Sequence, residues 1–450
     1  MVGVEQNLLI GEGEDMLNSA TTAVRRILSS DHCLVLGASL GLAFGLPQVY
    51  FLGVIAVPVM DHYGINTDWF GAIVGFMAAG MYFFSPVAGV FVDRHRQFGA
   101  ALAISGGLLL IGVSLIAASF APGGSLAVII ALGVAGSISV GMTYTIGMSA
   151  VASRYQGSRK GLATGVAAAG LAVGTISGSL LVEMAVADYG VTTALLWMGF
   201  SAAAAVLPVG LLLASVDAVP AKSVDSSAVS GQSVSDILLS RNGLMICLAF
   251  LLTSPVLLIA FSHIGVEVTA TLDSQSAAYV VSVLAVAGLP FRLLAGSLSD
   301  RFGPLNILVV TNLTLAVSFL VWMFADGNLT MYSIFAIIYG FSHSSIVVMR
   351  PLIILEIFGR ARINTVTGVM YFISGPGCLL GAFAFGWVFD GTYDPALRIA
   401  IPLCCASAFV AFMARGSKQA PSPYKQSVPP VPSYRPPSMH QLGIGRLPTR

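Results

Sequence analysis

Charge is what this 450-residue chain has least of: Asp, Glu, Lys and Arg together make up 9% of it. A soluble domain carries about 25% charged residues, so there is too little polar surface to cover a globule in water. Disordered chains and coiled coils need still more charge and fall on the same ground. Nor is one sign in excess. With 21 basic and 20 acidic residues the formal net charge is +1, whereas a nucleic-acid partner needs a concentrated basic face. Cysteine is scarce, and all five (Cys33, Cys247, Cys378, Cys404, Cys405) lie in apolar runs without disulfide or metal-ligand spacing. No Gly-x-x-x-x-Gly-Lys-Ser/Thr loop is present to couple ATP, and no nucleophile–base pair at useful spacing suggests an enzyme or a cofactor. The first 30 residues lack the basic-then-apolar order of a signal peptide, carrying instead an acidic patch at Glu12, Glu14 and Asp15.

What the chain does have is apolar sequence: 56% hydrophobic residues, a mean hydropathy of +0.88 and 49 glycines. A membrane-spanning helix needs roughly 20 mostly apolar residues to cross about 30 Å of hydrocarbon. Twelve such runs occur, near 33–60, 69–92, 99–118, 124–150, 161–184, 191–214, 243–265, 275–298, 304–325, 331–356, 365–389 and 396–414. None alternates with the short period of a barrel strand. The expected class is an all-α membrane protein of twelve transmembrane helices in the lipid bilayer.

Basic residues set the expected orientation. With the N-terminus inside, Arg25, Arg26, Arg94, Arg96, Arg154, Arg159, Lys160, Lys222, Arg241, Arg301, Arg360, Arg362 and the basic residues from Arg415 onward all fall on the cytoplasmic side. Acids such as Asp61, Asp68, Asp188, Asp273, Asp326 and Asp390 occupy the other. This is a strong positive-inside bias, and it places both termini in the cytoplasm. The expected division is a cytoplasmic segment 1–30, a six-helix bundle 31–214, a Ser-rich linker 215–240, a second bundle 241–414 and a disordered Pro-rich tail 415–450. Glu5 followed by Leu9-Ile10 matches an acidic dileucine sorting pattern, which leaves a vacuolar or lysosomal membrane as the alternative to the plasma membrane. Asn328-Leu329-Thr330 is a glycosylation sequon on the outer side.

The chain is duplicated. Gly89-Val-Phe-Val-Asp93-Arg94-His95-Arg96 follows span 2, and Gly296-Ser-Leu-Ser-Asp300-Arg301-Phe302-Gly303 follows span 8, 207 residues on. Arg159-Lys160-Gly161-Leu-Ala-Thr164-Gly165 after span 4 matches Arg362-Ile-Asn-Thr-Val-Thr367-Gly368 after span 10, 203 residues on. Positive-inside loops alone would repeat basic residues, but not Gly-x-x-x-Asp-Arg at both places. These residues resemble the major facilitator superfamily, whose signature is Gly-x-x-x-Asp-Arg-x-Gly; Arg96 stands where the first copy's last glycine belongs. The resemblance implies two pseudo-symmetric six-helix bundles rocking about a central cavity. Gly89, Asp93, Arg94, Gly296, Asp300, Arg301 and Gly303 then form the gating motif, with the aspartates pairing with arginines across the seam between halves. Small residues in spans 5 and 11, including Gly165, Gly170, Gly174, Gly375, Gly377 and Gly381, suit close helix contact. Pro47 and Pro255 are an equivalent pair of helix benders.

Two arginines lie inside spans. Arg292 sits eight residues before Asp300, and Arg350 eight before Phe358. At about 1.5 Å per residue each is ~12 Å from its helix end, near the midplane at ~15 Å. Each costs roughly 2.5–3.5 kcal/mol to insert. No Asp or Glu falls within the central part of a span, so an anionic small-molecule substrate would supply the missing counter-charge. Snorkelling, or an acid on another helix, is the competing reading. His343 lies on the same helix face as Arg350, with Tyr339 four residues further out, and could carry a coupled proton. Gln48, Tyr50, Tyr144 and Tyr371 are further candidates for the path.

Within the superfamily, Tyr155–Gly170, Arg292–Asp300 and Pro351–Gly359 resemble the monocarboxylate porters and the related oxalate:formate exchangers. The resemblance implies that Arg292 binds a substrate carboxylate. The porters' acid one turn before that arginine is Gly288 here, their span 1 lysine is Gln48, and the exchangers' span 11 lysine is missing. The reading is a monomeric secondary transporter for a small organic anion, by proton symport or anion exchange. A major facilitator transporter of a neutral or cationic solute, and a non-transporting sensor of the same fold, are the alternatives.

Overall fold

The computed structural model describes residues 30–45, 55–65, 69–70, 73, 77, 80–95, 98–122, 126–155, 158–217, 234–257, 259–359, 362–387 and 393–415. Among the described residues the regular structure is helical: α1 (Ser30–Gly45), α2 (Ala56–Tyr63), α3 (Ser85–Arg94), α4 (Gly99–Ser119) and α5 (Gly136–Arg154), the last preceded by a π turn at Ile129–Ala135. There follow α6 (Lys160–Asp217), α7 (Val234–Leu239), α8 (Arg241–Thr253) and α9 (Ile259–Thr271). The series ends with α10 (Ser274–Phe302), α11 (Pro304–Met323), α12 (Leu329–Phe358), α13 (Ile363–Trp387) and α14 (Asp394–Arg415). Eight of the described helices are long and apolar enough to cross a membrane. One of them, α6, contains two expected spans. Gly190 joins them at φ 80°, ψ 172°, a conformation glycine adopts without the penalty a side chain would bring.

Apolar residues cover both the inner and outer faces of these helices. In α11, Leu308, Leu315, Phe319 and Trp322 are buried, while Val310, Leu313, Val317 and Leu320 are exposed. A water-soluble helix would carry polar residues on that second face; here it meets hydrocarbon. Serine and threonine hydroxyls inside the spans return to backbone carbonyls one turn earlier, as Ser114 does to Ile111 and Ser318 to Leu315. No polar atom of those side chains is then left facing lipid. Helix starts are capped in the ordinary way. Asp273 accepts from the Ser276 amide at 2.8 Å, and Asn328 from Thr330 and Met331 at 2.9 and 3.2 Å. The sequon asparagine is thus the N-cap of α12.

The duplication seen in sequence reappears in the packing. A Cβ on Gly89 would run into the Asn364 carbonyl, and one on Gly296 into the Gly161 carbonyl. A Cβ on Gly165 would strike the Arg292 carbonyl, and one on Gly368 that of Ser85. These four contacts are two related pairs, and they bring α3 against α13 and α6 against α10, each time one helix from either half. Within a half, Gly170 and Gly174 lie on Ser39 and Ala43 of α1, as Gly381 lies on Pro255. Backbones approach this closely only where side chains are absent. Pro255 sits in a 3₁₀ turn at Ser254–Val256 that separates α8 from α9; Pro47 lies outside the described residues.

Gly368→Val and Gly165→Val each force a branched side chain against the backbone of the other half. A loss of about 1–3 kcal/mol is expected, read as a lower Tm of the purified protein; an unchanged Tm for both would contradict the close crossing.

Candidate functional site

The residues expected to form a gating motif lie at helix ends. Asp93, in the last turn of α3, accepts from Asn364 Nδ2 at 2.8 Å and from the Thr365 amide and hydroxyl at 2.8 and 2.7 Å. Asp300, in the last turn of α10, accepts from the Gly161 and Leu162 amides at 2.7 and 3.0 Å. The acceptor groups in both cases meet the first turn of a helix in the other half, α13 or α6. That is where free N–H groups and the positive end of the helix dipole favour an anion. The sequence suggested arginines as the aspartates' partners; the hydrogen bonds described come from these helix starts, and Arg154 of α5 adds a charge interaction with Asp93. Gly89 and Gly296 make the approach sterically feasible, and Gly303 (φ 83°) ends α10 just beyond the latch. Arg94 and Arg301 follow their aspartates at the same end of the bundle, and Arg301 lies over the Phe302 ring at 5.2 Å. On the α13 side, Ser149 of α5 donates to Asn364 Oδ1 at 2.6 Å, so one amide ties α13 to both α3 and α5.

About two turns deeper, the halves enclose a small pocket. Arg292, Gly288 and Leu284 of α10 line it with His343, Ser344 and Gly340 of α12, facing Leu171, Ala172 and Thr175 of α6. Arg292 is 6% exposed, and its Nη1 donates to the Ala168 carbonyl across the seam at 3.0 Å. It therefore faces neither lipid nor a buried carboxylate in the hydrogen bonds described. A Cβ at Gly288 would meet Ser344 Oγ at 2.7 Å, so a side chain there requires the serine hydroxyl to turn aside.

Arg350 lies in a different setting, 3% exposed among aromatic rings. Its guanidinium is 5.0 Å from the Phe250 ring and 5.9 Å from Tyr371, with Nη2 3.4 Å from Ser254 Oγ. Among the described residues its Nε has no hydrogen-bond partner. Tyr371 stacks on Tyr144 of the first half at 5.8 Å and meets Tyr82 edge-on at 6.2 Å. Tyr82 and Phe250 were not singled out in sequence, because a lone aromatic in an apolar run reads as core. Tyr339 is fully buried away from the pocket lining, donating its hydroxyl to the Leu257 carbonyl and stacking on His343 at 5.8 Å. Gln48, Tyr50 and Arg96 lie outside the described residues.

One ionisable group was missed altogether. The seventh expected span ends at 265, but α9 runs on to Thr271, and Glu267 within it is 6% exposed. Its carboxylate accepts from Trp322 Nε1 at 2.9 Å, Tyr332 OH at 3.1 Å and the Tyr393 amide at 3.1 Å. Its only signal in sequence was a lone acid two residues past an apolar run.

A duplicated helical bundle, whose halves meet at motif aspartates and enclose a largely apolar pocket bearing Arg292 and His343, has the architecture of a membrane solute transporter. The chain belongs to the Major Facilitator Superfamily, whose family model matches residues 36–382 and again 242–437. Monocarboxylate transporter 13 of Rattus norvegicus is 24% identical over 370 residues, covering 80% of this chain and 82% of that protein. The riboflavin transporter MCH5 of Saccharomyces cerevisiae is 32% identical over 124 residues, and the chain spans only 24% of its length. Among solved structures, the proton:xylose symporter XylE matches with a TM-score of 0.66 at 14% identity, covering 86% of this chain and 95% of that one. The human organic anion transporter MFSD10 (TETRAN) matches at 0.64 and 15%, covering 85% and 99%. At such identities the structures establish the fold.

Asp93→Ala removes three accepted hydrogen bonds and Asp300→Ala two, each at about 1–3 kcal/mol. In a Ser149→Cys background, maleimide labelling at the buried seam is expected to accelerate in both variants, more for Asp93→Ala. Equal rates in parent and variants would rule out the latch.

Proposed function

We propose that the protein carries a small organic anion, a mono- or dicarboxylate, by alternating access, with Arg292 as the anchor for the carboxylate. The observation that carries this is a buried guanidinium lining a pocket between the halves, with no acid among that pocket's lining residues. A guanidinium presents a planar fork that matches a carboxylate bidentately. Bringing an anion there offsets the insertion cost of the arginine itself. His343 and Ser344 supply further polar contacts from the same wall. Arg350 lies on the same helix as His343, and adds to the positive potential that an anion would meet. The likeness to a protein named as a monocarboxylate transporter points the same way.

The arginine-rich end is the cytoplasmic one by the positive-inside rule, with both termini on that side and the plasma membrane as the site of residence. The latch closes that end, so solute would reach the pocket from the opposite side. Breaking the aspartate–helix contacts would open the pocket inward. Transport runs by proton symport or by exchange of one anion for another, and one chain is sufficient.

Uptake of a panel of labelled mono- and dicarboxylates into proteoliposomes tests the reading. Arg292→Ala is expected to reduce uptake roughly 10- to 100-fold, as loss of a charge-assisted pair predicts. Arg292→Lys keeps the charge without the fork and is expected to fall between. Undiminished carboxylate transport by Arg292→Ala would sink the assignment.

A further inference from the structure

Glu267 has no part in the pocket, yet its surroundings connect it to the pocket. The 3₁₀ turn at Ser254–Val256 makes α9 a separate arm of the seventh span, at the end opposite the latch. One face of α12 holds this arm twice. Tyr339 donates to the Leu257 carbonyl at its base, and Tyr332 donates to Glu267 near its tip. These tyrosines are seven residues apart and so share a helix face. His343, four residues beyond Tyr339, stacks on that ring at an interplanar angle of 9° and lines the Arg292 pocket. The aromatic column is continuous, with Phe335 packed on Trp322 at 4.9 Å and on Tyr339 at 5.6 Å.

The tip contact depends on charge state. Three donors converge on the carboxylate, two on Oε1 and one on Oε2. An ionised carboxylate accepts all three; a protonated one carries an O–H of its own that must compete with at least one of them. The groups that act on the carboxylate are Trp322 of α11, Tyr332 of α12, and Tyr393 with Asp394 at the start of α14. From the arm itself, His263 adds a hydrogen bond to Tyr393 Oη at 3.0 Å. Asp394 adds negative charge, so burial and a like charge oppose the three donors. A group under such opposed influences is suited to switching with pH.

We propose that Glu267 is a proton-binding site that controls the docking of α9: ionised, it holds the arm against α11, α12 and α14; protonated, it releases the arm. The proton is thereby the ion that gates the end opposite the latch. The coupling to cargo rests on the carrier reading above; the proton site and the arm do not.

The test uses the full chain in lipid nanodiscs with Trp69, Trp197 and Trp387 changed to Phe, leaving Trp322 as the sole indole. Its emission is expected to show one titration step between about pH 4 and 9, absent in Glu267→Gln and restored in Glu267→Asp. A step that persists in Glu267→Gln, or no step in the parent, overturns the proton site. Spin labels at Thr269→Cys and Phe324→Cys, both exposed positions, with Cys405→Ser, read the arm. The distance distribution is expected to lengthen on acidification, and to stay at its acidic form at every pH in Glu267→Gln. A distribution indifferent to pH overturns the gate. Carboxylate uptake that still follows an imposed pH gradient in Glu267→Gln overturns proton coupling through this residue. If both spectroscopic results hold and no carboxylate is taken up, it is the cargo reading that has failed.

Discussion

Two carboxylates, each set against the first turn of a helix from the other half, hold this transporter in the conformation described. Asp93 and Asp300 satisfy N–H groups that have no acceptor within their own helices. The interaction needs near-contact of backbones, and glycine at 89, 161, 296 and 368 provides it. The pocket, the stacked tyrosines and the position of Arg292 all depend on that approach. Ala168, which receives the Arg292 guanidinium, stands less than a turn beyond Gly165, where α6 lies on α10. Neutralising an aspartate would weaken its hold on these helix-start N–H groups, more at half-buried Asp93 than at Asp300, which is exposed to solvent.

The scaffold is repeated but its charges are not. At the offsets that align the two halves, Arg292 corresponds to Ser85 and Arg350 to Gly147. Ser85 makes hydroxyl contacts to the Met81 carbonyl one turn earlier and to Thr145 of α5. Positive charge within the span region is therefore concentrated in the second half, and the first half offers it carbonyls and tyrosine rings. Duplication supplies the shape of a central pocket, and divergence supplies its chemistry. The buried acid Glu267 adds to the same asymmetry, since its counterpart region in the first half carries no comparable cluster among the described residues.

Sequence reasoning reached the arginines and missed the acid for one physical reason. A guanidinium in the middle of an apolar run is expensive wherever its side chain points, so its depth alone makes it conspicuous. Glu267 stands near the end of such a run, where a carboxylate could equally well reach water. Only the convergence of Trp322, Tyr332 and the Tyr393 amide distinguishes it from a solvated loop acid. Tyr339 illustrates the converse. Its place on the His343 face was legible from spacing, but whether its hydroxyl meets solute or the Leu257 carbonyl depends on how α9 leans on α12.

Composition, run length and the repeated Gly-x-x-x-Asp-Arg motif determined the membrane class, the number of spans, their pairing into halves and the superfamily. Each of these follows from properties that act locally along the chain: the cost of dehydrating a charge, the length of an apolar helix, and the recurrence of a segment. The tertiary structure alone decided which helix starts the aspartates meet, that Gly288 lies against Ser344, and that Arg292 and His343 share a wall while Arg350 sits among rings. Those outcomes depend on which faces of distant helices meet, and hydrophobic pattern cannot specify that when the faces turned to lipid and to core are equally apolar.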